Sequence, residues 1–313
     1  MDNRKLNDSL LERPRPSIFA AEALLLISMI GLWAASLLVG RLMPRAGSGQ
    51  EYLMAVAYYL PFIAVPIVVY GLRRPGLGDA MRLNPMPRFS TITVVFAALL
   101  SVYAASAVNG LWGLVLNGIG LHEPDISIGI SSPEMLMAAI LHTAAVPAVF
   151  EELLCRGFVL AAFASRGTRF AVLASALLFA LMHGNVYGLP AYLLVGAVSG
   201  FLVFALDSVY AGMVYHTVYN AAILVLLYLL PQAQQAASQA APQEGLAFSV
   251  ALDALFVSLS LFLLLKSVDI RRKIRGIEAI PRIREPLRTR ERVLLIALAV
   301  VFIGTSVLVL MEV

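Results

Sequence analysis

Charge is what this sequence has least of. Asp, Glu, Lys and Arg together make up 13% of its 313 residues, roughly half the 25% share of an ordinary soluble domain. Hydrophobic residues make up 60%. That balance excludes a conventional water-soluble globule and points to lipid as the solvent. Cysteine is nearly missing. The single Cys155 excludes an internal disulfide framework and any metal site built from several cysteines. Alternation of apolar and polar residues is also lacking, which excludes a transmembrane β-barrel. No inverted repeat of the kind many transporters use is visible.

In place of these features stands a series of long apolar runs. A membrane-crossing helix needs about 20 mostly apolar residues. Candidates fall at 18–40, 52–72, 90–118, 135–163, 168–184, 189–206, 209–230, 248–266 and 292–311. The expected fold is all-α, a polytopic transmembrane helix bundle of about eight or nine spans. The first run is too long for the apolar region of a cleaved signal peptide, so it is read as a retained signal anchor. The third and fourth runs are long and the fifth and sixth short, which predicts tilts and kinks.

Basic residues set an orientation. With residues 1–17 as a cytoplasmic N-terminal tail, every Lys and Arg except Arg41 and Arg45 falls in or beside a cytoplasmic segment. The loops 119–134 and 231–247, external on this reading, contain neither. This is the pattern of the positive-inside rule. The expected organisation is a bundle over 18–230, an external linker at 231–247 rich in Gln and Ala, and two further spans within 248–313. A basic cytoplasmic loop, 266–292, joins those two spans and is expected to lie against anionic membrane lipid. The expected location is the cell inner (plasma) membrane, and no nucleic-acid partner is expected.

Against this background a few polar residues stand where lipid should forbid them. Glu151, Glu152 and Arg156 interrupt the fourth run, His183 ends the fifth, and His216 and Asn220 lie in the seventh. An ionisable group at mid-bilayer costs on the order of 3 kcal/mol on insertion scales, so each demands a partner or a purpose. Glu152 and Arg156 are four apart and share a helix face, as do His216 and Asn220. Glu151 is one step, about 100°, from Glu152, so the two carboxylates cannot point the same way. Glu152 can pair with Arg156 while Glu151 turns into the bundle.

Taken singly, these residues have plain structural readings. Glu152 and Arg156 make a structural ion pair, and a lone intramembrane His or Asn is an interhelical hydrogen-bond partner. Cys155 could border the site but is expected to pack, and Tyr215 and Tyr219 could line the cavity, with core packing the expected role of both. Gly196 and Gly200 permit close helix contact. His122 and His142 fit no pattern, and Asn185 and Tyr187 are expected in an external turn.

Taken together, the residues can hydrolyse an amide. Glu151, helped by His183, could take a proton from water, while His216 and Asn220 could donate hydrogen bonds to the oxyanion. Glu152 and Arg156 would support the site. Two histidines and a glutamate could also ligate zinc, but Asn220 suits an oxyanion better, and no cofactor is expected. A non-catalytic scaffold or immunity protein leaves these residues without a task, and a bis-histidine haem carrier leaves the glutamates without one.

Glu151-Glu152-x-x-x-Arg156, Phe179-x-x-x-His183 and His216-x-x-x-Asn220 resemble the three ordered motifs of the CPBP family. That family comprises the type II CAAX prenyl endopeptidases and the bacterial bacteriocin-processing or Abi proteins. The resemblance covers about 135–230, the expected catalytic core. It implies an all-α intramembrane glutamate endopeptidase with Glu151 as water-activating base, acting on a peptide or a membrane-protein substrate.

Overall fold

Continuous apolar runs give continuous helices here, because a backbone without water must satisfy its own N–H and C=O groups. The computed structural model describes residues 15–42, 63–73, 76–88, 90–122, 130–237, 246–274, 276–277 and 286–311. Among the described residues no strand occurs. The helices are α1 (Ile18–Leu42), α2 (Val65–Leu72), α3 (Ser90–Gly118), α4 (133–163), α5 (Thr168–Met182), α6 (Leu189–Leu206), α7 (Val209–Ala237), α8 (Leu246–Ile274) and α9 (Thr289–Met311). A single turn, Leu77–Ala80, lies between α2 and α3.

Four of these, within α1, α3, α6 and α7, are each long and apolar enough to cross a membrane, and α5 is a shorter apolar helix. The protein is an all-α membrane helix bundle. Large apolar side chains face outward along its perimeter. On α9, Val293, Ile296, Val300, Ile303 and Val307 form one exposed stripe at helical spacing, the surface expected of a helix in contact with lipid.

The central helices are packed through small residues. A Cβ added at Gly196 of α6 would come within 3.0 Å of the Ala176 backbone on α5, so this spacing brings the two helices into near-backbone contact. Helix α3 packs across α6, α7 and α8, while α1 packs against α9. The turn between α6 and α7 is stapled to the segment before α3. Arg82 pairs with Asp207 at 3.2 Å, Asn84 donates to Asp207 Oδ2 at 3.0 Å, and Ser208 Oγ donates to the Asn84 carbonyl at 2.6 Å.

Helix α4 is the irregular one. Ser132 caps it, accepting from the Met135 N–H at 3.3 Å, and Pro133 follows at the first helical position, where its missing N–H costs nothing. Two wider π-helical stretches, Ile140–Ala145 and Leu153–Val159, then bracket the α-helical segment Val146–Glu152. Such widenings reorient the side chains around them and concentrate at functional sites.

Several expected boundaries move. Helix α7 continues through Pro231 to Ala237, into the expected linker, because Ala and Gln are good helix formers. The rest of that linker, 238–245, lies outside the described residues. Helix α8 runs past 266 to Ile274, taking Arg271, Arg272 and Lys273 into its last turn, where basic side chains complement the helix dipole. The tail 1–14, the segment 43–62 and, within the basic loop, 275 and 278–285 also lie outside the described residues.

Candidate active site

The two adjacent glutamates of α4 diverge, as a helix requires. Glu152 is fully buried and faces inward to α6 and α7. Its Oε1 lies 2.8 Å from Arg156 Nη1 and 3.2 Å from His216 Nδ1. Its Oε2 accepts from Ser199 Oγ at 2.7 Å. Arg156, equally buried, also donates from Nη2 to the Gly196 carbonyl at 3.2 Å, and its guanidinium lies 4.1 Å from the centre of the Phe179 ring. A buried ion pair is tolerable only when such further partners surround it.

Glu151 faces a cavity of about 300 Å³ that it shares with His183, His216 and Asn220. Apolar residues from three helices, among them Pro147, Val195 and Leu224, complete the wall. Glu151 Oε2 lies 3.9 Å from His183 Nε2. His183 sits at the last turn of α5, and Gly184 follows with a φ of 60°. A Cβ at Gly184 would collide with Thr305 of α9, so only glycine permits both the left-handed turn and that close approach. The His183 ring is fixed on three sides. Nδ1 is 2.8 Å from the Phe179 carbonyl, Tyr192 stacks at 4.1 Å, and Phe179 meets it edge-on at 4.6 Å.

Asn220 Nδ2 makes a long hydrogen bond, 3.5 Å, to the Thr143 carbonyl. Pro147, four residues on, has no N–H and so cannot compete with Asn220 for that carbonyl. The polar side chain of α7 thus meets α4 within its first π-helical stretch.

The structure therefore brings Glu151, His183, His216 and Asn220 to one cavity, with Glu152 and Arg156 immediately behind it. It differs from the simple sequence picture at His216, whose Nδ1 faces the Glu152 carboxylate. Ser199, Tyr192, Thr143, Pro147 and Gly212 also shape the site and went unnoticed in sequence. Only Pro147, a proline inside an apolar helical run, offered a signal. Tyr219 lines the cavity, whereas Tyr215 and Cys155 are fully buried away from it. His142 contacts its neighbour Thr143, and His122 contacts Asn117 beyond the end of α3. Among the described residues no three of His, Cys, Asp and Glu are grouped to hold a metal ion.

A helical membrane bundle thus holds a carboxylate, two imidazoles and a carboxamide around one cavity. Residues 133–222 match the family model described as type II CAAX prenyl endopeptidase, Rce1-like. That match covers less than a third of the chain and is consistent with the CPBP family of CAAX-type membrane proteases. No curated protein and no solved structure matches the chain.

Proposed function

We propose that the protein is an intramembrane endopeptidase in which Glu151 and His183 together activate a water molecule. The 3.9 Å gap between Glu151 Oε2 and His183 Nε2 carries this reading. A carbonyl cannot donate, so the contact with Phe179 fixes the proton of neutral His183 on Nδ1. Nε2 is then an acceptor, and it faces a carboxylate that is also an acceptor. Two acceptors cannot bond each other. A water that donates one proton to each satisfies both and keeps an oxygen lone pair for attack.

On attack at a peptide carbonyl, Glu151 takes a proton from the water and later returns it to the leaving nitrogen. Asn220 Nδ2 donates to the oxyanion, an effect usually among the largest in such sites. His216, held beside the cavity by the 3.2 Å contact of its Nδ1 with Glu152 Oε1, assists at the oxyanion. Arg156 holds Glu152 in turn. The apolar walls favour hydrophobic residues beside the scissile bond, as in a peptide or membrane protein cut near the bilayer. The distribution of basic segments supports an N-terminus on the cytoplasmic side of a cell inner membrane.

The test is cleavage of a quenched-fluorescent panel of hydrophobic peptides by detergent-purified protein, wild type beside Glu151→Gln, with and without chelator. Glu151→Gln is expected to lose about 10²–10⁴-fold in kcat, the usual worth of a general base, and chelator to leave the wild type unchanged. Full activity in Glu151→Gln would overturn the assignment of the base. Loss in chelator with rescue by zinc would overturn the metal-free reading.

A further inference from the structure

A second cavity, of about 330 Å³, lies away from the catalytic residues. Its walls come from the segment before α3 (Arg88), the first turn of α3 (Ser90, Thr93), the end of α6 (Leu206) and the end of α8 (Arg271, Ile274). Three helix ends therefore converge at one level. The alternating direction of successive spans puts all three at the same membrane face, the cytoplasmic one on the orientation proposed above.

The chemistry of this cavity is mixed. Two guanidiniums and two hydroxyls line it together with the apolar Pro87, Leu206, Val268 and Ile274. The neighbouring cations are committed elsewhere, Arg272 and Lys273 both to Asp269 at 2.8 Å. Arg88 and Arg271 are exposed, and among the described residues neither meets a carboxylate. Beside the cavity, Ile92 and Phe96 of α3 and Ile270 of α8 present exposed apolar side chains.

We infer that this cavity binds the headgroup of an anionic phospholipid of the cytoplasmic leaflet. The phosphodiester lies between Arg88 and Arg271, with Ser90 and Thr93 donating to it, since planar guanidinium forks suit phosphate oxygens. The volume is at the lower end for small-ligand sites, about 300–1,000 Å³, which suits a headgroup and excludes two acyl chains. The chains run instead along Ile270 of α8 and Ile92 and Phe96 of α3, toward the bilayer. A free anion would gain nothing from the apolar lining of the cavity, and a neutral lipid nothing from the arginines.

The experiment is native mass spectrometry of the full-length, delipidated protein titrated with phosphatidylglycerol or with phosphatidylcholine of the same acyl chains. Wild type is expected to prefer phosphatidylglycerol by about 10- to 30-fold, as two basic residues at a membrane surface supply. Arg88→Gln with Arg271→Gln is expected to abolish the preference. Lys266→Gln, an exposed cation on the same helix but outside the cavity, is expected to retain it. Equal binding of the two lipids by wild type, or equal loss in Lys266→Gln, would overturn the site in favour of diffuse surface charge. Glycerol 3-phosphate binding as tightly as the lipid would overturn the lipid in favour of a soluble anion. Thermal unfolding in neutral detergent, expected to be the same for all three proteins, separates loss of the site from loss of the fold.

Discussion

Gly212 of α7 leaves the space that the Glu152 carboxylate of α4 occupies. A Cβ at position 212 would collide with Glu152 Oε2, and would come 2.8 Å from Val203 and 3.0 Å from Ser199 Oγ. The carboxylate cannot move aside without giving up Arg156, His216 or Ser199. Gly212→Ala is therefore expected to cost about 1–3 kcal/mol, the usual penalty for overpacking a filled site. It is also expected to reduce peptide cleavage at least tenfold. Thermal unfolding in detergent beside the cleavage assay checks both, and an unaltered Tm would show that Glu152 has room to shift.

The Glu152–Arg156 pair gives a prediction of sign as well as size. Removing either partner alone leaves a charge stranded in the bundle, and is expected to destabilise by about 3–5 kcal/mol. Replacing both, as Glu152→Gln with Arg156→Met, is expected to cost less than the two single changes added together. Arg156→Lys is expected to behave nearly as badly as Arg156→Met. A lysine cannot reach Glu152 and the Gly196 carbonyl in a planar fork while lying over Phe179. Chemical or thermal unfolding of the four variants gives the coupling energy. Additive losses would mean that the pair is not a unit.

These two relationships divide what the sequence reveals from what it hides. Apolar run length fixes the helices, because the bilayer imposes a length on each, and α3 and α6 have the expected limits, 90–118 and 189–206. The pairing of Glu152 with Arg156 follows from helical spacing alone. What spacing cannot tell is which residue of a distant helix meets a given side chain. Ser199 is one serine among many, Gly212 one glycine among 22, and Tyr192 one tyrosine in an apolar run. Each matters through a contact made across 40 or more positions or between neighbouring helices. The π-helical turns of α4 were hidden for another reason. They shift the register of a single helix without changing its composition.

Tyr192 tests whether the orientation of His183 matters separately from its presence. The stacked ring at 4.1 Å and the Phe179 carbonyl together hold Nε2 toward Glu151. Tyr192→Phe keeps the ring and is expected to keep cleavage within about threefold. Tyr192→Ala frees the imidazole, and is expected to lower kcat by about 10²-fold, the scale on which misplacement of a reacting group acts. The split is read from kcat and KM together. A fall confined to KM would make Tyr192 a substrate contact rather than a positioning residue.

Pro147 separates stability from activity most sharply. It lies on α4 four residues after Thr143, whose carbonyl receives the long hydrogen bond from Asn220 Nδ2. Pro147→Ala restores a backbone N–H that competes for that carbonyl. The helix gains, by up to about 3 kcal/mol, so Tm is expected to rise. Asn220 loses its anchor and with it the aim of its amide toward the oxyanion. Cleavage is then expected to fall by about 10-fold or more, short of the 10²–10³-fold expected for deleting an oxyanion donor outright in Asn220→Ala. Val195→Ala is the control, because it opens the same cavity wall without adding a donor. If Pro147→Ala lowers cleavage no further than Val195→Ala, the effect is one of cavity shape. If it raises Tm and lowers kcat while Val195→Ala does neither, the proline is kept at a cost in stability because a regular helix would take the acceptor that positions Asn220.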